Sequence, residues 1–296
     1  MSLQQIHFSN SQLVINSIQT NGIIIDASWA NYFKENKFHV GISLDGDKYI
    51  HDQHRRDFAG NGSFDRVMVS IEIMVAIGIR VGIVCTVTKT AVNKAKDMLS
   101  FFTENGIMKL NFSPSADYDT NGTLMSHSIS SEEWGNFLVQ LFDAWVAMDN
   151  TRAEIQLIDN ILRSAFGAKS NLCVLNRNCG EFLSVCSDGS VYICGRFLGN
   201  QYFLVGDLRD QSFKQILQSS RYQNVVNKTV ELPQKCINCE WQQLCNGGCA
   251  YYRFMDGDNR NDPYFCEAMK IAIAHIKKSL LNFGVQEQTI WPKTKS

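Results

Sequence analysis

The sequence predicts an α/β chain: an incomplete (β/α) barrel of about four strands followed by a cysteine-rich α+β domain. Three observations carry that expectation. Short β-branched runs alternate with helix-like stretches over residues 1–125. Nine of the ten cysteines lie between Cys173 and Cys266, leaving Cys85 alone upstream. Two amphipathic, aromatic-bearing stretches separate these regions.

LVINSIQ (13–19), FHVGISL (38–44), VGIVCTV (81–87) and KLNFSPS (109–115) read as buried strands. Helical stretches connect them. SWANYFKEN follows the first strand, and FDRVMVSIEIMVAIG, with Val67, Met68, Ile71 and Met74 at helical spacing, follows the second. AVNKAKDMLSFFTENG follows the third and ends in Asn-Gly, a helix stop. Repeated β-α-β order implies a parallel sheet with right-handed crossovers. Four strands do not close an eight-stranded barrel, and ligands are expected at the strand C-terminal ends.

Ser130 and Glu133 form a capping box before EEWGNFLVQLFDAWVAM, whose Phe137, Leu138, Leu141, Phe142 and Trp145 share a face. IQLIDNILRSAFG is the second bridging helix. Beyond it, FLSVCSDGSVYIC (182–194) alternates around Asp188-Gly189 as a hairpin does. An amphipathic helix over 265–283 closes the chain. The expected divisions are a partial barrel over 1–125, bridging helices over 126–170, the cysteine-rich domain over 171–284 and a tail over 285–296.

A formal net charge of -1 argues against nucleic-acid or anionic-membrane partners. No run approaches the roughly 18 apolar residues of a membrane span. The opening MSLQQIHFSNSQ lacks the basic start and apolar run of a secretion signal. A cytoplasmic location is therefore expected, where thiols stay reduced and clustered cysteines point to metal.

CINCEWQQLCNGGC (236–249) could hold one zinc ion by itself through Cys236, Cys239, Cys245 and Cys249. That reading leaves Cys173, Cys179, Cys194 and Cys266 unexplained. Together the eight make two complete four-cysteine sets, as cubane iron–sulfur clusters require, and spacing alone leaves both readings open. Cys186 is left over as a small buried hydrophobe on the hairpin.

The interval pattern is more specific. Cys179, nine residues, Gly189, four residues, Cys194, then Cys236-x2-Cys239-x5-Cys245-x3-Cys249, then a gap to Cys266, resembles the seven-cysteine SPASM pattern of radical SAM enzymes that modify peptides and proteins. Cys173 resembles the extra ligand of anaerobic sulfatase-maturating enzymes. The resemblance covers roughly 173–270. It implies two auxiliary 4Fe–4S clusters: one on Cys173, Cys179, Cys194 and Cys249, the other on Cys236, Cys239, Cys245 and Cys266. SIQTNG (17–22), GISLDG (41–46), HDQHR (51–55) and GNGSF (60–64) resemble strand ends and loops of the radical SAM partial barrel. By that resemblance Gln19, Thr20, Asn21, Ser43 and Arg55 line an S-adenosyl-L-methionine pocket. Polar residues that end strands also serve as plain turn formers. His51 and Asp52 are expected to be loop structure rather than acid–base groups.

Two departures stand out. The family's CxxxCxxC, which binds the catalytic third 4Fe–4S cluster, is not in this sequence, nor is the Gly-Gly-Glu-Pro-like stretch of the second strand. Cys85, alone within a strand, is no substitute. The expectation is that the chain starts at the family's third strand, as a fragment, a misassigned start or an expression product, and does not run radical chemistry alone. Secondly, sulfatase-maturating enzymes place an Asp base after the cysteine matching Cys194, where this chain has Gly195 beside Arg196. No catalytic base is assigned.

The resemblance implies a maturase that oxidises or crosslinks a peptide or protein side chain through a 5′-deoxyadenosyl radical, with flavodoxin or ferredoxin as electron donor. A non-catalytic peptide-binding iron–sulfur fragment, a formylglycine-generating sulfatase maturase and a zinc-stapled protein are the alternatives.

Overall fold

The computed structural model describes residue 4 and residues 13–119, 123–148, 152–254 and 263–290. The chain divides into two compact units, residues 1–129 with 137–159 and residues 130–136 with 160–296. Most of the N-terminal dodecapeptide and the end of the expected tail lie outside the described residues.

The first unit is a parallel sheet of five strands in sequential order: β1 (Ser17–Thr20), β2 (His39–Ser43), β3 (Val81–Val87), β4 (Lys109–Pro114) and β5 (Glu154–Ile155). The connecting helices are α1 (Ala27–Glu35), α2 (Lys48–His54), α3 (Phe64–Ile77), α4 (Ala95–Glu104) and α5 (Ser131–Ala147), and α6 (Gln156–Ala165) follows β5. The partial α/β barrel class read from the sequence holds. Two details differ. β5, only two residues long, carries too little pattern to announce itself, and residues 13–16 are not strand.

Register decides what each face of this sheet does. Val40 pairs with Val81, Ile42 with Ile83, Ile83 with Leu110 and Cys85 with Phe112, so one face is continuously apolar and buried. Phe112 continues the packing toward α4 and α5, with ring centroids 6.0 Å from Phe102 and 5.6 Å from Phe137. The opposite face carries Gln19, Gly41, Ser43, Thr86, Asn111 and Ser113 at paired positions. The sequence reading took these strands as buried. The alternation makes one face a core and the other polar.

Local signals set the helices. Asp26 caps α1 by accepting from Trp29 N (2.9 Å), and Asp47 caps α2 by accepting from Ile50 N (2.9 Å). α3 has no side-chain cap from Ser63; the carboxylate of Asp52 accepts from Phe64 N instead (3.0 Å). Gly62 makes room for it, since a Cβ there would sit 2.1 Å from the Asp52 carboxyl carbon. His51 and Asp52, expected in a loop, sit on α2, and both hydrogen-bond to the start of α3.

The second unit is built on a three-stranded antiparallel sheet of β6 (Ser184–Val185), β7 (Ser190–Tyr192) and β8 (Leu204–Asp207). The first pair is the hairpin expected around Asp188-Gly189. Val191, Ile193, Phe197, Phe203, Val205 and Ile216 form its core, with Phe197 and Phe203 stacked at 3.7 Å. Around it run α7 (Cys173–Asn176), α8 (Phe213–Gln218), α9 (Ser220–Val230), α10 (Gln234–Ile237), α11 (Gln242–Cys245) and α12 (Cys266–Asn282). The capping box at the start of α5 is reciprocal: Ser130 N donates to Glu133 Oε2 (2.8 Å) and Glu133 N to Ser130 Oγ (3.1 Å). Ser131 Oγ accepts from Ala268 N on α12 (3.0 Å).

Burial pushes the His51 imidazole below its ordinary value of 6.5. Its Nδ1 accepts from Asp45 N (3.2 Å), so Nε2 carries the proton toward Ser63 Oγ (2.9 Å). The unfolded chain gains a proton near pH 6.5 that the folded chain refuses. Stability is therefore unaffected well above that value and falls as pH drops through it. The denaturant midpoint of the wild type is expected to fall between about pH 7 and about pH 5. His51→Gln, measured the same way, should show a shallower fall.

Candidate functional site

Two groups of residues were singled out by the sequence, and each falls within one unit. In the first unit they gather at the C-terminal ends of β1 and β2. Gln19 Nε2 donates to Ser43 Oγ across the strand pair (3.2 Å). The Gln19 amide lies over Gly41, where an added Cβ would fall 2.1 Å from its oxygen. Thr20 and Asn21 accept instead from Gly22 N and Ile23 N (3.2 Å each) and close the turn after β1. Arg55 is held by Asp45, through Nε (2.5 Å) and Nη2 (3.1 Å).

Asp45 is the residue that sequence reasoning missed here. It is 6 % exposed, accepts from Thr86 N (2.8 Å) at the next strand, and closes a ring of hydrogen bonds. Its backbone N–H donates to His51, His51 meets Ser63 Oγ, and Ser63 Oγ donates to the Arg55 carbonyl (3.1 Å). That ring fixes where the Arg55 guanidinium points. The available signal was an Asp two residues past a strand end.

In the second unit all cysteines are free thiols, and the eight candidates separate into two quartets. The charge of Cys194 acts on Cys173, and those of Cys249, Cys173 and Cys194 act on Cys179. Cys249 in turn feels Cys173 and Cys194. The second quartet is coupled in the same way: Cys266 and Cys239 act on Cys236, and Cys266 and Cys236 act on Cys245. Cys236, Cys239, Cys245 and Cys266 also line one recess with Trp241 and Lys270. Cys249 is thus grouped with distant Cys173, Cys179 and Cys194 rather than with its neighbours in sequence.

Burial pushes the Cys173, Cys179, Cys236, Cys245 and Cys249 thiols up, Cys179 to about 11 and Cys245 to about 12. Thiolates here need compensation, and the surroundings supply some. Cys245 accepts from Gly247 N and Gly248 N, presented by a turn in which Asn246, Gly247 and Gly248 all have positive φ. Asn246 Nδ2 donates to Leu175 O (2.7 Å), tying that turn to α7, the helix that begins at Cys173. Arg196 donates through Nη1 to Tyr252 Oη (3.0 Å), lies over the Tyr251 and Tyr252 rings, and is coupled to Cys249 and Cys194.

The all-sulfur donor sets suit iron–sulfur clusters or zinc. Among the described residues no three His, Cys, Asp or Glu side chains converge closely enough for one metal ion. Four thiols in each group match the donor number of a cubane and also that of a structural zinc ion.

Cys186 packs half-buried against the sheet core and joins neither quartet, while Cys85 is fully buried in β3. Gly195 opens a 3-10 turn after Cys194, and a Cβ there would meet only Ser184 Oγ at 3.3 Å. Space does not force a glycine at this position.

The parallel α/β sheet followed by a cysteine-bearing antiparallel domain superposes on a radical SAM enzyme with a SPASM extension, and that match gives the class. The SPASM iron–sulfur cluster-binding domain family matches residues 173–240. Within that class the chain belongs to the anaerobic sulfatase-maturating enzyme family. It is 30 % identical to the cysteine-type enzyme of Clostridium perfringens strain 13, covering 95 % of this chain and 77 % of the relative. Identity to the cysteine-type enzyme of Clostridium novyi is 34 %, over 87 % of this chain and 70 % of the relative. Identity to the serine-type enzyme of Bacteroides thetaiotaomicron is 30 %, over 95 % and 74 %. A solved structure, native anSMEcpe with bound AdoMet and Cp18Cys peptide, superposes with a TM-score of 0.87 at 30 % identity, over 95 % of this chain and 79 % of that one. Among the described residues no helix is long and apolar enough to cross a membrane.

Asn246→Ala removes the bond to Leu175 and places a β-carbon residue without a polar arm at φ 49°. It is expected to cost about 1–3 kcal/mol, read as a lower denaturant midpoint with unchanged m-value.

Proposed function

We propose that the chain carries the auxiliary-cluster and substrate-facing part of a peptide- or protein-modifying maturase. The observation that carries this reading is the sorting of eight cysteines into two interleaved quartets. Cys173, Cys179, Cys194 and Cys249 would hold one 4Fe–4S cluster, and Cys236, Cys239, Cys245 and Cys266 a second. The functional divisions are then the partial barrel over 1–125, bridging helices over 126–170, the cluster domain over 171–284 and a tail over 285–296. At the sheet, Gln19, Ser43 and Arg55 would meet S-adenosyl-L-methionine, with Thr20 and Asn21 shaping the turn beside it. The AdoMet and peptide bound in the related anSMEcpe structure support both ligands.

S-Adenosyl-L-methionine bound to a reducing cluster would supply the radical chemistry for removing hydrogen from the substrate side chain. This chain's own residues orient and insulate. The Asp45–Arg55 pair presents a fixed guanidinium at the strand ends, the auxiliary sites would be placed to take up the electron left after substrate oxidation, and a flavodoxin- or ferredoxin-type partner would be the electron donor. Gly195 offers no base. That favours a modification needing no proton acceptor there, such as a crosslink, although the sulfatase-maturating relatives keep formylglycine formation as the second reading.

Anaerobic reconstitution is expected to load about eight iron atoms per chain, with broad absorption near about 400 nm. One or two zinc ions and no iron would sink the reading. Incubated alone with dithionite and S-adenosyl-L-methionine, the 296-residue chain should release no 5′-deoxyadenosine, since CxxxCxxC is absent from it. Detection of that nucleoside above the protein-free blank by mass spectrometry overturns this expectation. Gly195→Asp should fold as the parent does, within about 0.5 kcal/mol, because an added Cβ would meet only Ser184 Oγ, at 3.3 Å.

A further inference from the structure

Arg253 is the only Arg or Lys among the buried polar residues described, with 2 % exposure. It ends the short 3-10 turn Ala250–Arg253, which Cys249 opens. Nη1 donates to Glu231 O (2.8 Å) and Nη2 to Thr229 O, both neutral carbonyls. The Nε–H is buried and has no acceptor. A guanidinium stays charged in a protein, and a buried charge without a counter-ion is strongly unfavourable. Among the described residues no carboxylate pairs with it.

A thiol lies near it. Leu232 Cδ2 fills the space over Gly247, with the guanidinium and a thiol beside it: a Cβ there would sit 2.5 Å from Leu232 Cδ2, 3.6 Å from Arg253 Nη1 and 3.9 Å from Cys236 Sγ. The thiols whose charge acts on Arg253 are Cys179, Cys236 and Cys249. Cys179 and Cys249 belong to one quartet and Cys236 to the other. Arg196, by contrast, is coupled to Cys249 and Cys194, both of the first quartet.

We propose that Arg253 is the shared counter-cation of the two sulfur sites, a positioning residue whose fixed charge raises the reduction potential of both clusters. The inference rests on the reading of the quartets as cluster ligands. A thiolate-bound cubane is anionic and becomes more so when it takes an electron, so a buried cation beside both sites favours both reduced forms. The orphan Nε–H is a donor that the protein itself leaves unsatisfied. Its carbonyl bonds keep the head from swinging to either site alone.

The test is a potentiometric titration of the reconstituted 296-residue chain, followed by electron paramagnetic resonance. Arg253→Gln is expected to move both midpoints to more negative values. Each reduction equilibrium should fall at least tenfold, which for one electron is about 59 mV. Arg253→Lys, which keeps the charge, should stay close to wild type, and Arg196→Gln should move one midpoint only. Two cubanes in Arg253→Gln with either midpoint unmoved overturn the inference and leave the ligand reading intact. A wild type without two cubanes removes the ligand reading and the inference together. If Arg253→Gln does not fold, Arg253→Lys decides. Folded protein with two cubanes supports the role of the charge. Failure to fold would make Arg253 a clamp for the Thr229 and Glu231 carbonyls and overturn the inference.

Discussion

Eight thiols cannot ionise together in a protein interior unless positive charge is built in among them, and the second unit is organised around that constraint. Desolvation first, and neighbouring thiols after it, push Cys179 and Cys245 well above an ordinary thiol. The compensation comes from three different sources. Backbone N–H groups of the Asn246–Gly248 turn face Cys245, the charges of Cys249 and Cys194 act on the stacked guanidinium of Arg196, and those of Cys179, Cys236 and Cys249 act on the enclosed guanidinium of Arg253. Each source is attached to a chain segment that also carries a cysteine, so the elements that bring the sulfurs together bring their countercharge with them. Electrostatic preorganisation and loop topology are here a single problem.

The first unit solves a quieter version of the same problem. A parallel sheet buried on both faces would read as unbroken apolar runs. Here register splits the strands into a packed face and a polar one, and the polar face ends where Gln19, Ser43 and Arg55 collect. Arg55 comes from α2, beyond the strand, and is returned to the strand ends by Asp45. The Asp45–His51–Ser63–Arg55 ring is local in sequence, spanning residues 45–63, and can form as soon as α2 and the start of α3 are in place.

Much of this was legible beforehand, and the reason differs from element to element. β2, β3 and β4 declare themselves through β-branched runs, and the α5 capping box through Ser130 and Glu133. The cysteine quartets came from matching intervals to a family pattern, because spacing alone cannot tell Cys249 to abandon Cys236, Cys239 and Cys245. β5 was missed since a two-residue strand has no period to detect. Asp45 and Arg253 were missed for a more general reason. Burial of a charged residue is decided by what packs over it, and DGD or YYRF looks the same in a sequence whether it ends up in solvent or enclosed. The placement of His51 on a helix rather than in a loop has a related cause: a seven-residue helix with His at both its middle and its end offers no amphipathic stripe.

Gln19 and Gly41 occupy what is sterically one position, since the amide of the first fills the volume that any side chain of the second would need. Asp52 and Gly62 share space in the same fashion. Each pair is therefore a single steric unit: a larger residue at 41 or 62 fits only if its partner is shortened or turned away.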